Sequence, residues 1–253
     1  MKAAGLGQCS LDYITLVNGF PVEDTKKEVL DFIVQGGGPV ATALVALSRL
    51  GVKTSMIGRV SDDFAGVEIR KGLREEGVDT KEFFRGAGIL LLDGLMMEAS
   101  VRAASIASKM NIPILLDAGS LKPGMLSLAA LCDYVVCSEG FASAMKMSLK
   151  DALVKLAGGR AKAVTVTLGR KGSVTLHDGR IFTHKACQVK AVDTTGAGDV
   201  FHGAYAFGVL QGWDMKKTVE FASIVAAMKC TKLGGRTGIP TLKEAMRFLK
   251  GKR

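Results

Sequence analysis

A chain of 253 residues, 48% of them hydrophobic, can bury a sizeable core, and we expect one domain over residues 1–253. No apolar run approaches the roughly 20 residues that cross a bilayer, and the N-terminus is too polar for a signal peptide, so a cytoplasmic protein without membrane contacts is expected. The net charge of +10 is spread along the chain with few aromatic residues, which argues against nucleic-acid binding and suits small anionic substrates.

In chain order, the first half alternates between buried strands and amphipathic helices. Short apolar runs predict strands in the segments "MKAAGLGQC", "KKEVLDFIVQ", "VKTSMIGRV" and "GILLLDG". Helical apolar spacing is found in the segments "PVATALVALSRLG", "FAGVEIRKGLREEG" and "EASVRAASIASKMN". The first two helices are closed by Gly51 and Gly77, because glycine suits the left-handed residue that often follows a helix.

The second half continues the same alternation. Three more buried strands are predicted at "IPILLDAG", "DYVVCSE" and "AVTVTLG". A hairpin follows at "GSVTLHDGRIFTH", with Asp178 and Gly179 as its turn. The last helices are predicted at "DVFHGAYAFGVLQG", "MKKTVEFASIVAAMKC" and "LKEAMRFLK". Continuous apolar strands separated by helices predict an α/β fold whose mostly parallel sheet is covered on both faces.

The polar residues at the predicted strand ends indicate where a ligand binds. In an open parallel sheet, ligands bind beyond the carboxyl ends of the strands. The residues predicted at or near that edge are Asp12, Asp93, Asp117, Ser138, Glu139, Thr167 and Gly169. The sequence therefore predicts a small-molecule site along one edge of the sheet.

The segment "DTTGAGDVFHG", residues 193–203, opens a helix with a glycine-rich turn. It has two interpretations: Asp199 is a helix cap, or it is a base beside a phosphate bound by the free N–H groups of the helix. The chain has no P-loop motif, and "GLGQCS" lacks the third glycine of a dinucleotide fingerprint. The candidate phosphate site is therefore Gly196 to Asp199.

Taken together, these segments resemble the PfkB, or ribokinase-like, carbohydrate kinases. "DTTGAGDVFHGA" resembles the C-terminal signature of that family, and "GGGPVATALVALSRLG" its N-terminal glycine signature. Other similar segments, in the same order, are "GRVSDDFAGVEIRKGLREEGVDT", "DYVVCSEGFA", "VTLGRKGS" and "KCTKLGGRTGIPT". The ketohexokinase and sulfofructose-kinase branch looks most similar. The resemblance implies a three-layer sandwich with a small β-lid, to which residues 12–35 contribute.

The resemblance also assigns the catalytic and acceptor residues. Asp199 matches the catalytic base, which takes the proton of a sugar hydroxyl. The amides of Gly196, Ala197, Gly198 and Asp199 match an anion hole for the transferred phosphoryl group. The residues that match the sugar site are Asp12, Gly37, Gly38 and Thr42. Thr42 stands where many relatives have asparagine, and Asp93 is a further candidate that we do not align firmly.

The family also implies ATP, Mg²⁺ and K⁺ as partners. The nucleotide-binding residues carried over are Ser138, Thr167, Gly169, Gly172 and Ser223. Backbone carbonyls that would hold a monovalent cation belong to Asp193, Thr195, Lys229, Lys232, Gly234 and Gly238, with both lysine side chains expected to face solvent. Ser138 and Phe141 depart from the usual asparagine and glutamate, and Glu139 is carried over only weakly, for magnesium water.

One departure from the family concerns the lid. After "GVDT" the chain runs through "KEFFRGAG" directly into the strand "ILLLDG", without the strands that complete the lid in relatives. Either the protein has lost those strands, or the sequence lacks a stretch that the natural protein has. An incomplete lid exposes a sheet edge and excludes water less well.

We predict an ATP-dependent kinase that phosphorylates a primary hydroxyl of a ketohexose or a 6-substituted fructose. The alternatives are a kinase for nucleosides or other small molecules, and a catalytically weak protein that binds sugar or nucleotide. A homodimer formed through the lid is also expected from the family.

Overall fold

The structure, a computed structural model, describes residues 1–81 and 86–251. The segment "KEFFRGAG", at which the chain lacks the lid strands of its relatives, therefore lies partly outside the described residues. Within these ranges no helix combines the length and the apolar character needed to cross a membrane.

The described strands form one large sheet and one small one. They are β1 (Lys2–Leu6), β2 (Ser10–Val17), β3 (Val29–Gly37), β4 (Lys53–Ile57), β5 (Val78–Asp79), β6 (Ile89–Leu92), β7 (Ile114–Ala118), β8 (Tyr134–Ser138), β9 (Ala163–Thr167), β10 (Ser173–His177) and β11 (Arg180–His184). The large sheet has the order β11-β10-β9-β8-β7-β6-β1-β4-β5. Its strands are parallel except that β10 runs antiparallel to β9 and β11. The predicted α/β fold with a mostly parallel sheet is confirmed.

Helices cover both faces of the large sheet. They are α1 (Pro39–Arg49), α2 (Phe64–Glu75), α3 (Met97–Lys109), α4 (Met125–Ala129), α5 (Glu139–Ala144), α6 (Leu149–Ala157), α7 (Ala197–Leu210), α8 (Met215–Lys229) and α9 (Leu242–Gly251). Helices α1, α2, α7, α8 and α9 share one hydrophobic core, to which the sheet contributes Leu91 and Leu115. Helices α3 to α6 share the other core, with Leu90 and Ile114. This alternation follows from the opposite directions of successive side chains in a strand.

Strands β2 and β3 form a separate antiparallel hairpin above the sheet edge, and β3 leads directly into α1. Asp12 pairs with Gln35, and Tyr13 with Val34. Because paired residues share a face and neighbours alternate, Asp12 and Tyr13 point to opposite sides of the hairpin. This two-stranded sheet is the small lid that the sequence predicts.

The segments predicted as strands and helices all form the expected element, but β5, α4, α5 and α6 were not predicted, and β2 was expected only as part of the lid that the resemblance implies. Helices α4 and α5 have five and six residues, which is too short to show a helical period. Helix α6 carried a usable signal, because Ser148 caps it by accepting a hydrogen bond from the Asp151 amide at 3.1 Å.

Candidate active site

The polar residues predicted at the strand ends do meet at one edge of the sheet. Ser138 and Thr167 end β8 and β9 opposite each other, and Asp117 lies near the end of β7. Asp93 follows β6, but its buried carboxylate accepts hydrogen bonds from the amides of Gln8, at 2.7 Å, and Leu95, at 3.0 Å. Those bonds give Asp93 a structural role in holding the β1 loop.

The first turn of α7 begins at this edge and presents open backbone amides. Gly196 adopts φ +73°, a left-handed conformation that favours glycine, and no side chain caps the helix. Among the described residues, none accepts a hydrogen bond from the amides of Gly196, Gly198 or Asp199. The Ala197 amide instead donates to the Thr194 carbonyl at 3.1 Å. Three of the four amides predicted to form the anion hole are therefore open to an anion.

Asp199 lies in this turn as a partly buried carboxylate rather than as a helix cap. Burial raises its pKa to about 6, and the negative charges of Asp117 and Asp12 add to that rise. The positive charges of His202 and Arg236 oppose it. A carboxylate whose pKa lies near neutrality, beside open amides, is suited to accept a proton from a substrate.

His202 lies one turn along α7 and ties that helix to the sheet. Its Nδ1 lies 2.6 Å from the Gly198 carbonyl oxygen and 3.3 Å from Asp117 Oδ2. Its Nε2 lies 3.1 Å from the Val136 carbonyl oxygen. Because carbonyl oxygens only accept hydrogen bonds, the ring makes both carbonyl contacts only when both nitrogens carry hydrogen. Burial raises the pKa of Asp117 and the His202 charge opposes that rise.

On the acceptor side, Asp12 of β2 lies against the backbone of Gly37 of β3. The Asp12 carboxylate accepts a hydrogen bond from the Ser10 hydroxyl at 2.8 Å. A Cβ added to Gly37 would overlap with both carboxylate oxygens of Asp12, and one added to Gly38 would overlap with the Gln8 carbonyl. The absence of a side chain at Gly37 therefore lets β3 approach this carboxylate closely, while the predicted contact of the glycine loop with a sugar remains a prediction.

Thr42 and Arg236 form a second, buried layer beneath the glycine loop. Arg236 is 5% exposed and donates from Nη2 to the Gly37 carbonyl at 3.1 Å, while its Nε lies 3.4 Å from Thr42 Oγ1. Burial lowers the pKa of Arg236 to about 10. Because Thr42 is buried and in contact with this guanidinium, its hydroxyl is oriented by Arg236.

A cavity of about 280 Å³ lies beside the α7 turn, and Asp12 does not line it. Four predicted nucleotide residues line it, namely Thr167, Gly169, Gly172 and Ser223, and Ala197 and Gly198 of the anion turn line it too. The sequence analysis missed the loop 186–191, which supplies one wall. The cavity thus places a space lined by predicted nucleotide-binding residues next to the open amides.

Ser138 and Glu139 lie near this cavity without lining it. The Ser138 hydroxyl donates to the Gly119 carbonyl and accepts from the Phe141 amide, both at 2.9 Å, so it caps α5. Glu139 is exposed and pairs with Lys171 at 3.1 Å. Phe141 is fully buried in the core. Ser138 therefore acts first as a helix cap, and its predicted nucleotide contact remains a prediction.

The residues predicted to hold a monovalent cation come together, with one correction. The Gly234 amide donates to Asp193 Oδ2 at 2.7 Å, and Gly238 packs against the carbonyl of Lys229. The expectation that the Lys229 side chain faces solvent is wrong: the residue is 0% exposed, and its Nζ donates to the Asp193 carbonyl at 2.9 Å. Lys232 is exposed, as expected.

A mostly parallel sheet that carries a partly buried carboxylate, a turn of open amides and an adjoining cavity at the carboxyl edge of its strands suits a small-molecule kinase. The model of the pfkB family carbohydrate kinases matches residues 2–88 and 81–242 of this chain. The chain belongs to that family and is a carbohydrate kinase. The two matched stretches overlap at residues 81–88. In the sequence analysis, this is the segment at which the lid strands of the relatives are missing.

Comparison with curated proteins and solved structures agrees with this membership. The chain is similar to a ribokinase of Schizosaccharomyces pombe, with 29% identity over 273 positions that cover 84% of this chain and 86% of the relative. Because the 273 positions span only 84% of the 253 residues of this chain, about 213, roughly 60 residues of that ribokinase have no counterpart here.

Two solved structures show the same fold. Arabidopsis thaliana ribokinase complexed with ribose and ATP matches with a TM-score of 0.84 and 21% identity, covering 98% of both chains. An Escherichia coli protein in complex with ATP and Mg²⁺ matches with a TM-score of 0.87 and 20% identity, covering 99% of both chains. These relatives support the ribokinase-like family as a whole rather than its ketohexokinase branch.

Three residues that shape the site were given no role by the sequence analysis. His202 follows Asp199 by three residues, a spacing that places both on one side of a helix. The sequence alone therefore indicates that His202 lies near Asp199. Asp117 was predicted only as a strand-end residue. Arg236 carried no signal, because a basic residue in a glycine-rich loop is usually exposed.

Proposed function

We propose that this protein transfers the γ-phosphoryl group of ATP to the primary hydroxyl of a pentose or a riboside, with Asp199 as the catalytic base. The observation that carries the proposal is the position of Asp199, whose pKa is raised to about 6, in a turn of open amides that lines the cavity, with Asp12 near enough to add to that rise. The pairing of a base with an anion-binding turn is the requirement of phosphoryl transfer to an alcohol.

In this mechanism ATP lies in the cavity of about 280 Å³ with its γ-phosphate at the α7 turn. Asp12 holds hydroxyls of the acceptor, and the Asp199 carboxylate takes the proton of the attacking hydroxyl. The amides of Gly196, Gly198 and Asp199 stabilise negative charge on the transferred group. Ala197 joins them if its bond to Thr194 opens.

Magnesium, bound together with ATP, would neutralise phosphate charge. Within the described residues, no group of three or more His, Cys, Asp and Glu side chains could hold a metal, which fits an ion held mainly by phosphate oxygens and water. Glu139 is the carboxylate we propose to contact that water, and it must first leave Lys171.

The acceptor class rests on the relatives and on the lid. The curated relative reported above is a ribokinase. The sequence features that favoured a ketohexose or a 6-substituted fructose are "GGGPVAT", "VFHGA", "SE" and "KCTKLGGRTGIP", of which the first and the last contribute to the layer below the glycine loop. The structure places Thr42 of the first segment and Arg236 of the last in mutual contact there. We therefore keep ketohexoses as the second acceptor class.

An acceptor panel tests the function. ADP release is measured with ATP and Mg²⁺ against ribose, deoxyribose, nucleosides, fructose and 6-substituted fructoses, with an Asp199→Asn protein as the background control. Ribose or a riboside should give the highest kcat/KM. Preference for a 6-substituted fructose would overturn the pentose assignment, and ATP binding without turnover on any acceptor would favour a binding protein with an incomplete lid.

The pH dependence of turnover follows from the pKa of Asp199. The base works only when ionised, so activity should be high above the pKa of about 6 and lost as the pH falls through it. We expect kcat/KM to fall about tenfold for each pH unit below that value. Rates at pH 5 to 8, with circular dichroism to confirm folding, measure it; a kcat/KM that does not fall between pH 6 and pH 5 would contradict the raised value.

The open side of the hairpin supports a proposed homodimer. Tyr13, Phe32 and Val34 are exposed on the side away from Asp12, and the Tyr13 and Phe32 rings lie 6.2 Å apart. Apolar surface of this kind on a sheet with free edges is typical of association sites. A monomeric mass in sedimentation velocity at micromolar concentration would contradict the dimer.

A further inference from the structure

The inference concerns Lys229, the last residue of α8, and the place that the family assigns to a monovalent cation. No part of Lys229 is exposed, and its Nζ donates to the Asp193 carbonyl at 2.9 Å. That carbonyl is one of the oxygens carried over as a cation ligand. A fully buried lysine is uncommon unless its ammonium is paired or hydrogen-bonded. Breaking this contact would therefore cost free energy, because it would leave the buried ammonium without its acceptor.

The backbone around the ammonium is the same set of loops that would surround the cation. The amides of Val192 and Asp193 both donate to the Cys230 carbonyl, at 2.8 and 3.2 Å. The Asp193 carboxylate accepts from the amides of Thr195, at 2.8 Å, and Gly234, at 2.7 Å. The Asp193 carboxylate is therefore occupied by hydrogen bonds from backbone amides, and its carbonyl oxygen accepts the hydrogen bond from Lys229.

The ammonium and a bound K⁺ are alternatives at this place. Each is a single positive charge that carbonyl oxygens can surround, and two such charges a few ångströms apart repel each other. Burial lowers the pKa of the Lys229 ammonium, and the charges of Asp193 and Asp199 and the nearby Cys230 thiol offset part of that fall. The residues present thus fit an internal cation better than an exchangeable one.

We propose that the ammonium of Lys229 replaces the monovalent cation of the family, so that this kinase does not require K⁺. The ammonium holds the loop 193–195 that leads into the anion turn at Gly196, and it supplies a fixed positive charge near Asp199. The family implies activation by K⁺. For this chain we expect instead an activity that does not depend on K⁺.

The experiment compares wild type with Lys229→Ala and Lys229→Met in KCl, NaCl and tetramethylammonium chloride at equal ionic strength. Lys243→Ala is the control, because Lys243 is an exposed lysine of α9. One readout is kcat for the best acceptor and so rests on the proposed function. The other is the Tm of the protein without substrates, which remains measurable if no acceptor is found and therefore separates the two proposals.

Wild type and Lys243→Ala should show the same kcat and Tm in all three salts. Lys229→Ala should lose about tenfold to a hundredfold of kcat in tetramethylammonium chloride, since a charge that stabilises the transition state is gone. K⁺ should restore most of that loss and raise the Tm of the variant, as a ligand specific for the native state does.

Two results would overturn the proposal. Wild type could be activated and thermally stabilised by K⁺ over tetramethylammonium, which would show that an exchangeable cation binds despite Lys229. Alternatively, the Lys229 variants could remain indifferent to K⁺ in both readouts, which would show that the ammonium does not occupy a cation site. If neither variant folds, the salt dependence of wild type alone decides between the two.

Discussion

Replacing Asp199 with asparagine is expected to lower kcat by about 10²- to 10⁴-fold, the usual contribution of a general base. The amide keeps the size of the side chain but cannot take the hydroxyl proton. The affinity for ATP should change little, because the open amides and the cavity walls that would hold the nucleotide are untouched. Initial rates of ADP release and calorimetric titration with ATP measure the two quantities.

Asp214→Asn is the matched control, because Asp214 also lies at the start of a helix and caps α8 by accepting from the Lys217 amide at 2.9 Å. It should change stability by about 1 kcal/mol at most and leave turnover unaffected. Near-normal kcat in Asp199→Asn would exclude the base assignment, whereas a loss shared equally by both variants would indicate a folding effect.

The sequence predicted the fold well because the fold depends on local patterns. The strands β6, β7 and β8 are continuous apolar runs, and α1 and α2 end at glycines, so each element is recorded in its own residues. The short helices escaped prediction because five or six residues hold less than two helical turns.

The site was predicted where the residues lie in one glycine-rich turn or at a strand end, and missed where distant segments meet. Asp199 and Asp12 were noted in such local segments, whereas their roles and that of Gly37 were carried over from the family resemblance and remain predictions. The contact of Arg236 with Thr42 joins residues 194 positions apart, and that between Lys229 and Asp193 joins residues 36 apart. Only the folded chain brings these pairs together, which is why Lys229 was wrongly expected to face solvent.

The electrostatic properties of the site also arise from folding. The pKa of Asp199 is raised to about 6 by burial first and by Asp117 second, and burial depends on the packing of α7 against the sheet. His202 counteracts this rise through its place between Gly198, Val136 and Asp117. The sequence motif identifies Asp199 as the candidate base, whereas the pH range in which that carboxylate is ionised depends on these neighbours.

Gly37→Ala is expected to lower kcat/KM for the acceptor by about tenfold to a hundredfold, the effect of losing a hydrogen bond to a charged group. The new methyl group would overlap with the Asp12 carboxylate, which must then turn away from the acceptor. Backbone strain is not the cause, since Gly37 has no left-handed φ. The Kd of ATP should stay unchanged, because neither Gly37 nor Asp12 lines the cavity proposed for the nucleotide.

Gly72→Ala is the matched control for this change, because Gly72 lies in α2 with open space around its Cα. It adds the same methyl group and should leave kcat/KM unaltered. Asp12→Asn should resemble Gly37→Ala, and the double variant should lose less than the product of the two single effects, since both act on one carboxylate. If Gly37→Ala keeps the wild-type kcat/KM and Tm, the acceptor binds without Asp12. If the losses in the double variant are independent and multiply, Gly37 contacts the acceptor through its own backbone instead.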